Sequence, residues 1–377
     1  MRSASRWIGG LIGCVLVIAG LATSPRSMAD SGLIGLVRDL VVAHHVARPS
    51  PTEFNPAGAD EINAALRQLD PYSKYVPPPD ASPPSAPSGG FGVDLLPIDG
   101  RTVVIPRKDG PLYQAGYRDQ HFLVSIDGTS VVDESLQQVG ARLDQAALAG
   151  SVWLGLRASS CAPTQTVRLI PSVTSRSSIE ILQAEGYSYI RIHDFVSHET
   201  QRSLAAALNA DSSPTRRVIL DLRYAGGGDL FEVLDAASLF LRTGLHLVSV
   251  VDRAGQRQAY LAPADMQLVS RPVLLLIGPG TASASEVFVR ALRRYGMAYA
   301  VGTTTRGKCI SQRQFLLPNG AQLWLSNRRI LDPDGRYCEG YGVTPDLLVD
   351  SEQLGDTLGL IRRGIGAMSM AKGAERN

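Results

Sequence analysis

From Ser178 to Val349 the chain alternates short apolar runs with amphipathic stretches, and this alternation limits its fold more than any other feature. The runs cover 187–192, 218–222, 247–251, 273–277 and 298–301. Each is short for a helix and rich in Val, Ile and Leu, the pattern of a strand buried on both faces. Between them, 199–209, 229–241 and 285–295 carry apolar residues at helical spacing. Such alternation predicts an α/β layered core. A hairpin follows, with strands at 314–317 and 322–326 around Pro318-Asn319-Gly320.

Upstream, the pattern differs. Residues 91–96, 102–105, 122–126, 152–157 and 166–170 read as short strands, with helices over 110–116 and 133–146. They predict a small, partly open β-barrel over 89–173. Six prolines within 77–88 exclude sheet or helix interior there and mark a linker. Before it, 31–47 and 59–69 repeat a helical spacing, giving an N-terminal helical segment over 30–76. The α/β layer then occupies 174–352, with a polar helical tail over 353–377.

At the N-terminus, Arg2 and Arg6 precede a charge-free run over 7–22, then breakers and the triplet Ser27-Met28-Ala29. That order describes a signal peptide cleaved after Ala29, and so an exported protein, periplasmic or secreted, without a stable membrane span. A retained anchor is the alternative reading of the same run. Net charge is +2, from 37 basic and 35 acidic residues, so no whole-chain field calls for nucleic acid. Four cysteines are too few to build the scaffold.

Common catalytic patterns are absent. None of the six histidines has metal-ligand spacing, and no cysteine pair stands two residues apart. There is no G-x-S-x-G, and Cys309 follows Lys308 where a Walker motif requires Ser or Thr. Ser369-x-x-Lys372 falls in the tail. What remains lies at strand ends. After 273–277 the chain turns through Gly278-Pro279-Gly280-Thr281 into a helix starting near Ser283. A serine there sits among free backbone N–H groups that can receive an oxyanion. Ser283-x-x-Glu286 is equally a capping box, which is reason enough for a serine. Asp221-Leu222-Arg223-Tyr224-Ala225-Gly226-Gly227-Gly228 follows a second apolar strand, and Thr303–Lys308 follows a third. Lys308 is one of only four lysines in the chain. Lysine can lose its proton when buried, whereas arginine cannot.

These residues resemble peptidase family S41, the carboxyl-terminal processing or tail-specific proteases. The likeness is carried by Thr281–Glu286, Gly307-Lys308-x-x-x-Gln312, Leu69–Tyr75, Asp221-Leu222-Arg223 with its glycines, and Gly342–Asp346. Five motifs in one order cover nearly all of the chain after the signal. The resemblance implies Ser283 as nucleophile, Lys308 as general base and Gln312 as the residue orienting it. It implies an oxyanion hole from the N–H groups of Ala284 and Gly227, with no metal or organic cofactor. It makes 89–173 a PDZ domain whose Gly90-Phe91-Gly92-Val93 loop holds a peptide carboxylate. Protein substrates with unstructured C-terminal tails follow as partners, and self-association is left open. The rival reading is a non-catalytic PDZ adaptor on a protease-like fold.

Two departures stand out. Cys309 replaces the family's usual glycine after the lysine, and Tyr224-Ala225 replaces an asparagine-rich stretch. After signal removal Cys161, Cys309 and Cys338 remain. Cys309 and Cys338 flank the hairpin, so a bond between them is expected, clamping the Lys308 loop. Closing such a loop contributes ~3–4 kcal/mol in the chain-entropy description. Three packed thiols are the alternative.

Overall fold

A computed structural model describes residues 27–78, 90–173, 177–184, 186–210, 216–263 and 266–374. Most of the expected signal segment and of the Pro-rich stretch lies outside them. The first described helix, Ser27–His44, begins before the expected cleavage point. Two compact units form, one from residues 1–83, 251–256 and 310–329, the other from 84–250, 257–309 and 330–377. Among the described residues no helix is long and apolar enough to cross a membrane.

The larger unit is built on a six-stranded sheet in the order Leu347–Leu348, Ala298–Gly302, Val273–Ile277, Arg217–Asp221, Tyr187–Ile192, Ile179–Ala184. All neighbours are parallel except the last pair. Period-two alternation splits each strand between two cores. Val218, Leu220, Val273, Leu275 and Ile277 face the helices Thr200–Ala210, Leu230–Ser238 and Ala284–Arg294. Ile219, Leu274 and Leu276 face Leu360, Ile361 and Met368 of the helix Thr357–Ala374. The expected polar tail is therefore corrected: its apolar residues close the second face of the sheet. Ser369 is exposed, its hydroxyl donating to the Ile365 carbonyl.

Residues 90–172 of this unit form a second sheet, ordered Val93–Ile98, Arg101–Pro106, His121–Ile126, Val152–Arg157, Gln165–Leu169. The helix Leu136–Ala149 covers it, started by a Ser135–Gln138 capping box and stopped by Gly150 in the left-handed region. Leu123, Ile126, Val139, Leu143, Leu154 and Leu156 fill the space between. The strand Val93–Ile98 pairs on one side only and lies next to that helix.

The hairpin Ile310–Leu316 and Gln322–Leu331 was expected within the protease layer. Its apolar residues instead pack with the N-terminal helices: Leu317, Leu323 and Leu325 join Val37, Val41, Ile62 and Leu66. The strand Lys74–Val76 pairs with the hairpin. Asp70 anchors this unit, accepting from Ser73 Oγ and pairing with His45 Nε2 at 2.6 Å each, and accepting from Ser326 Oγ at 3.0 Å.

Where the small sheet meets the large one, charges cluster. His193 Nε2 lies 3.0 Å from Glu180 Oε1, and its Nδ1 lies 3.5 Å from Asp94 Oδ2. Arg107 holds Asp94 at 2.8 Å, and Lys108 N–H donates to Glu180 at 2.7 Å. Burial alone would lower the His193 pKa, but Asp94 and Glu180 outweigh it and raise it. A raised folded pKa gives stability that is complete below the ordinary histidine value of ~6.5 and is lost as pH rises through the folded value. Thermal melts from about pH 6 to 9 should show the protein losing stability over that window. His193→Gln should melt lower at the acid end and lose that pH-dependent component. An unchanged slope in the variant would refute the assignment.

Candidate active site

Three strand-end loops of the larger unit meet around Ser283. The serine joins the strand Val273–Ile277 to the helix Ala284–Arg294 at φ 55°, ψ −124°. An ordinary N-cap has extended dihedrals, so capping alone does not account for this residue. Such a conformation costs about 1–3 kcal/mol and persists only where surrounding contacts impose it. Those contacts are evident. Ala282 N–H donates to Ala225 O at 3.0 Å, and Thr281 Oγ1 donates to Leu222 O at 2.7 Å. Ser283 N–H donates to Glu286 Oε2 at 3.1 Å.

The glycine run approaches from the neighbouring strand. Gly227 has φ 120°, and a Cβ there would lie 2.9 Å from Ser283 Cβ and 3.1 Å from Ala284 N. No side chain fits. Ala284 is the first helical residue, so its N–H has no intrahelical acceptor. Gly227 and the Ala284 N–H thus stand side by side against the serine. The run is fixed from behind by Phe195, whose N–H donates to Gly227 O at 2.8 Å and whose carbonyl accepts from Asp229 N–H at 2.8 Å.

Lys308 arrives on the third loop. Glu286 is fully buried and ties this loop to the serine. Its Oε1 accepts from Thr305 Oγ1 at 2.5 Å and Gly307 N–H at 2.8 Å. Its Oε2 accepts from Lys308 N–H at 2.8 Å as well as from Ser283 N–H. The backbones of Ser283 and Lys308 are therefore one carboxylate oxygen apart. Burial pushes the Glu286 carboxyl up, against these donors. Both Ser283 and Lys308 are half-buried, while Ser285 is fully buried and out of reach of a substrate. Cys309 and Cys338 are joined by a disulfide with Cα atoms 5.4 Å apart. Gln312 belongs to the other unit, where its amide donates to Tyr72 O at 2.8 Å.

Beneath the glycine run lies a buried ion-pair network. Asp221 Oδ2 accepts from Arg223 Nη2 at 2.7 Å, Tyr189 OH at 2.6 Å and Arg191 Nε at 3.2 Å. Burial would raise the Asp221 carboxyl, but Arg223 and Arg191 hold it well below the usual range. Tyr224 packs against Ile98, Val103, Ile105 and Phe122 of the small sheet, and its hydroxyl meets Gln120 Oε1 at 3.1 Å. The position where the family pattern is interrupted is thus a contact with the small domain.

In that domain, Phe91 is buried, and Gly92 sits so close to Gly110 that a Cβ would come within 2.5 Å of its Cα. The Gly90 N–H donates to Ser172 O at 2.9 Å, which removes it from the expected carboxylate loop and leaves Phe91, Gly92 and Val93. Among the described residues, no group of three His, Cys, Asp or Glu side chains is placed to hold a metal ion. Sequence reasoning saw Glu286 only as a cap partner and did not single out Tyr189, Arg191, Thr281 or Thr305. An arginine buried in the strand Tyr187–Ile192 was an available signal.

The pattern of peptidase family S41 matches residues 186–349, the stretch carrying all three loops. Residues 186–349 are thus an S41 peptidase region. A CtpA-like serine protease of Staphylococcus haemolyticus is 25% identical over 361 residues, covering 91% of this chain and 72% of the relative. One from Staphylococcus epidermidis is 26% identical over 299 residues, covering 77% and 60%. Among solved structures, the photosystem II D1 C-terminal processing protease superposes with TM-score 0.62 at 25% identity, covering 88% of this chain and 96% of that one. An S41 protease from Bacteroides fragilis shares the fold at TM-score 0.62 and 17% identity, covering 94% and 100%. The chain is similar to CtpA-like serine proteases, and its S41 region makes it a serine-type peptidase.

Gly227→Ala should bring a methyl within 2.9 Å of Ser283 Cβ and force a residue with a Cβ into positive φ. We expect a loss of about 1–3 kcal/mol in unfolding free energy and a large fall in peptidase activity. Denaturant melts and peptide cleavage check it; a variant with both near wild type would mean that the glycine is not needed.

Proposed function

We propose that this chain is an exported endopeptidase that cleaves proteins or their C-terminal tails with a Ser283–Lys308 dyad. The observation that carries the reading is the strained Ser283 backbone, packed against Gly227 and bound through Glu286 to the Lys308 backbone. A neutral Lys308 takes the Ser283 proton, and the alkoxide attacks the peptide carbonyl. The N–H groups of Ala284 and Gly227 receive the developing oxyanion, in a site whose donors are fixed before substrate arrives. Lys308 returns its proton to the leaving amine, and water then hydrolyses the acyl-enzyme. This chemistry draws on side chains and backbone alone.

The small domain is read as a PDZ domain. Its strand Val93–Ile98 has one open edge beside the helix Leu136–Ala149, the arrangement to which a peptide tail adds as a further strand. Phe91–Val93 would present N–H groups to the terminal carboxylate.

Degradation of an unstructured protein with a free C-terminus tests both parts. Ser283→Ala and Lys308→Ala should each lower kcat/KM by about 10³-fold or more, and Ser285→Ala should leave much of it. Lys308→Arg should match the alanine variant, because a guanidinium stays charged. Full activity in the arginine variant would refute the general-base role. A free tail peptide should compete with substrate better than its C-terminal amide; equal competition would argue against carboxylate capture.

A further inference from the structure

We propose that the Cys309–Cys338 disulfide is a positioning element for Lys308, so that proteolysis by this chain depends on the bond being formed. The inference rests on the Ser283–Lys308 reading above. The Lys308 loop lies along residues 338–343 from end to end. Thr305 N–H donates to Val343 O at 3.2 Å, Val343 N–H to Thr305 Oγ1 at 2.6 Å, and Gly340 N–H to Gly307 O at 2.8 Å. A Cβ on Gly307 would come within 2.9 Å of the Tyr341 and Gly342 nitrogens, so the two loops touch backbone to backbone.

Lys308 itself is bracketed. The N–H groups of Gly307 and Lys308 donate to Glu286, and that of Cys309 donates to Glu339 Oε2 at 2.6 Å. Three consecutive amides are thus held by two carboxylates, one on each side of the lysine. The Glu286 side is fully buried, whereas Glu339 is half-buried and its hydrogen bond competes with water. The disulfide stands on that weaker side, one residue from Lys308, and makes the attachment covalent. Both cysteines are buried, at 2% and 3% exposure, so a reductant reaches the bond only when the loop opens. Forming it removes two electrons and two protons from the two thiols. A small-molecule disulfide that accepts them leaves as two thiols. A displacement of the base by about 1 Å can cost as much as about 10²-fold in rate.

The folded protein would be treated with a water-soluble phosphine, which becomes its oxide as the disulfide becomes two thiols, water supplying the oxygen and both protons, and the thiols then counted by alkylation. Peptide turnover, fluorophosphonate labelling of Ser283 across pH, and circular dichroism would be followed together. We expect kcat and labelling to fall by about 10- to 100-fold, KM to change by less than about twofold, and the labelling profile to move to higher pH. Oxidised glutathione should restore all three. Cys309→Ser with Cys338→Ser should show the same loss and no response to phosphine. The proposal is overturned by full kcat in protein whose two thiols are alkylated, or by wild-type kcat when Cys309→Ala with Cys338→Val fills the space without a bond. It is overturned equally if the circular dichroism signal collapses with the labelling, since the bond would then hold the whole core. Absence of Ser283 labelling in the oxidised protein would instead sink the dyad reading itself.

Discussion

One buried carboxylate sets the distance between two loops that have no covalent reason to meet. Glu286 lies on the first turn of its helix, where the dipole favours negative charge. Burying a carboxylate is costly unless its oxygens are hydrogen-bonded. The donors come from Ser283 at the start of that helix and from Thr305, Gly307 and Lys308 at the end of the next strand. Satisfying one charge therefore fixes where the backbones of Ser283 and Lys308 run. Its pKa is nonetheless raised by burial, so the carboxylate gains less from these donors than it gave up in leaving water. The arrangement reads as a specification of geometry and not as a source of stability.

Asp221 shows the contrasting case. It is as deeply buried, but two guanidinium groups surround it and hold its pKa down. Buried pairs of this kind often contribute little net stability, while removing one partner is destabilising by several kcal/mol, on the order of 3–5. Arg223 uses its remaining donors on the Leu354 carbonyl and on Thr357 Oγ1 at 2.7 Å. The network thereby links the strand carrying the glycine run to the start of the last helix. Tyr224, next in sequence, reaches the small domain. The glycine run therefore hangs from contacts on three sides before any substrate is present.

Much of this was legible in the sequence, and the omissions have physical causes. The parallel strands were visible because each is apolar on both faces, as in Val273–Ile277, buried along its whole length. The strand Ile179–Ala184 was missed because it sits at the sheet edge and carries Glu180 toward the small domain, which breaks the apolar run. Arg257–Leu261 was missed because its residues are largely exposed and polar. Periodicity identified the hairpin but not its partner, since Leu323 and Leu325 announce a buried face without naming what buries it. The polar reading of the last helix failed for a related reason: its arginines and glycines mask the few apolar positions that pack. In the site, Ser-x-x-Glu reads as an ordinary cap, and the positive φ of Ser283 leaves no trace in the sequence. The role of Glu286 was hidden because its other donors lie about twenty residues further along the chain.

Several violations of local preference gather at the candidate site. A serine at positive φ, glycines with no room for a Cβ, a raised buried carboxylate and a disulfide-bonded cysteine in the family's glycine position all fall within three strand ends. Other segments follow ordinary rules, with a capping box at Ser135, a left-handed glycine at 150 and alternating strand faces. Foldable sequences agree with their structure at every level except where function demands otherwise. Cys309 shows how such a demand can be met in more than one way. A glycine after the lysine lets the loop adopt its path at low strain but leaves it free to leave that path. A cysteine tied to the opposing loop restricts the path and then prevents departure. In this chain the disulfide thus supplies covalent restraint at the residue next to Lys308.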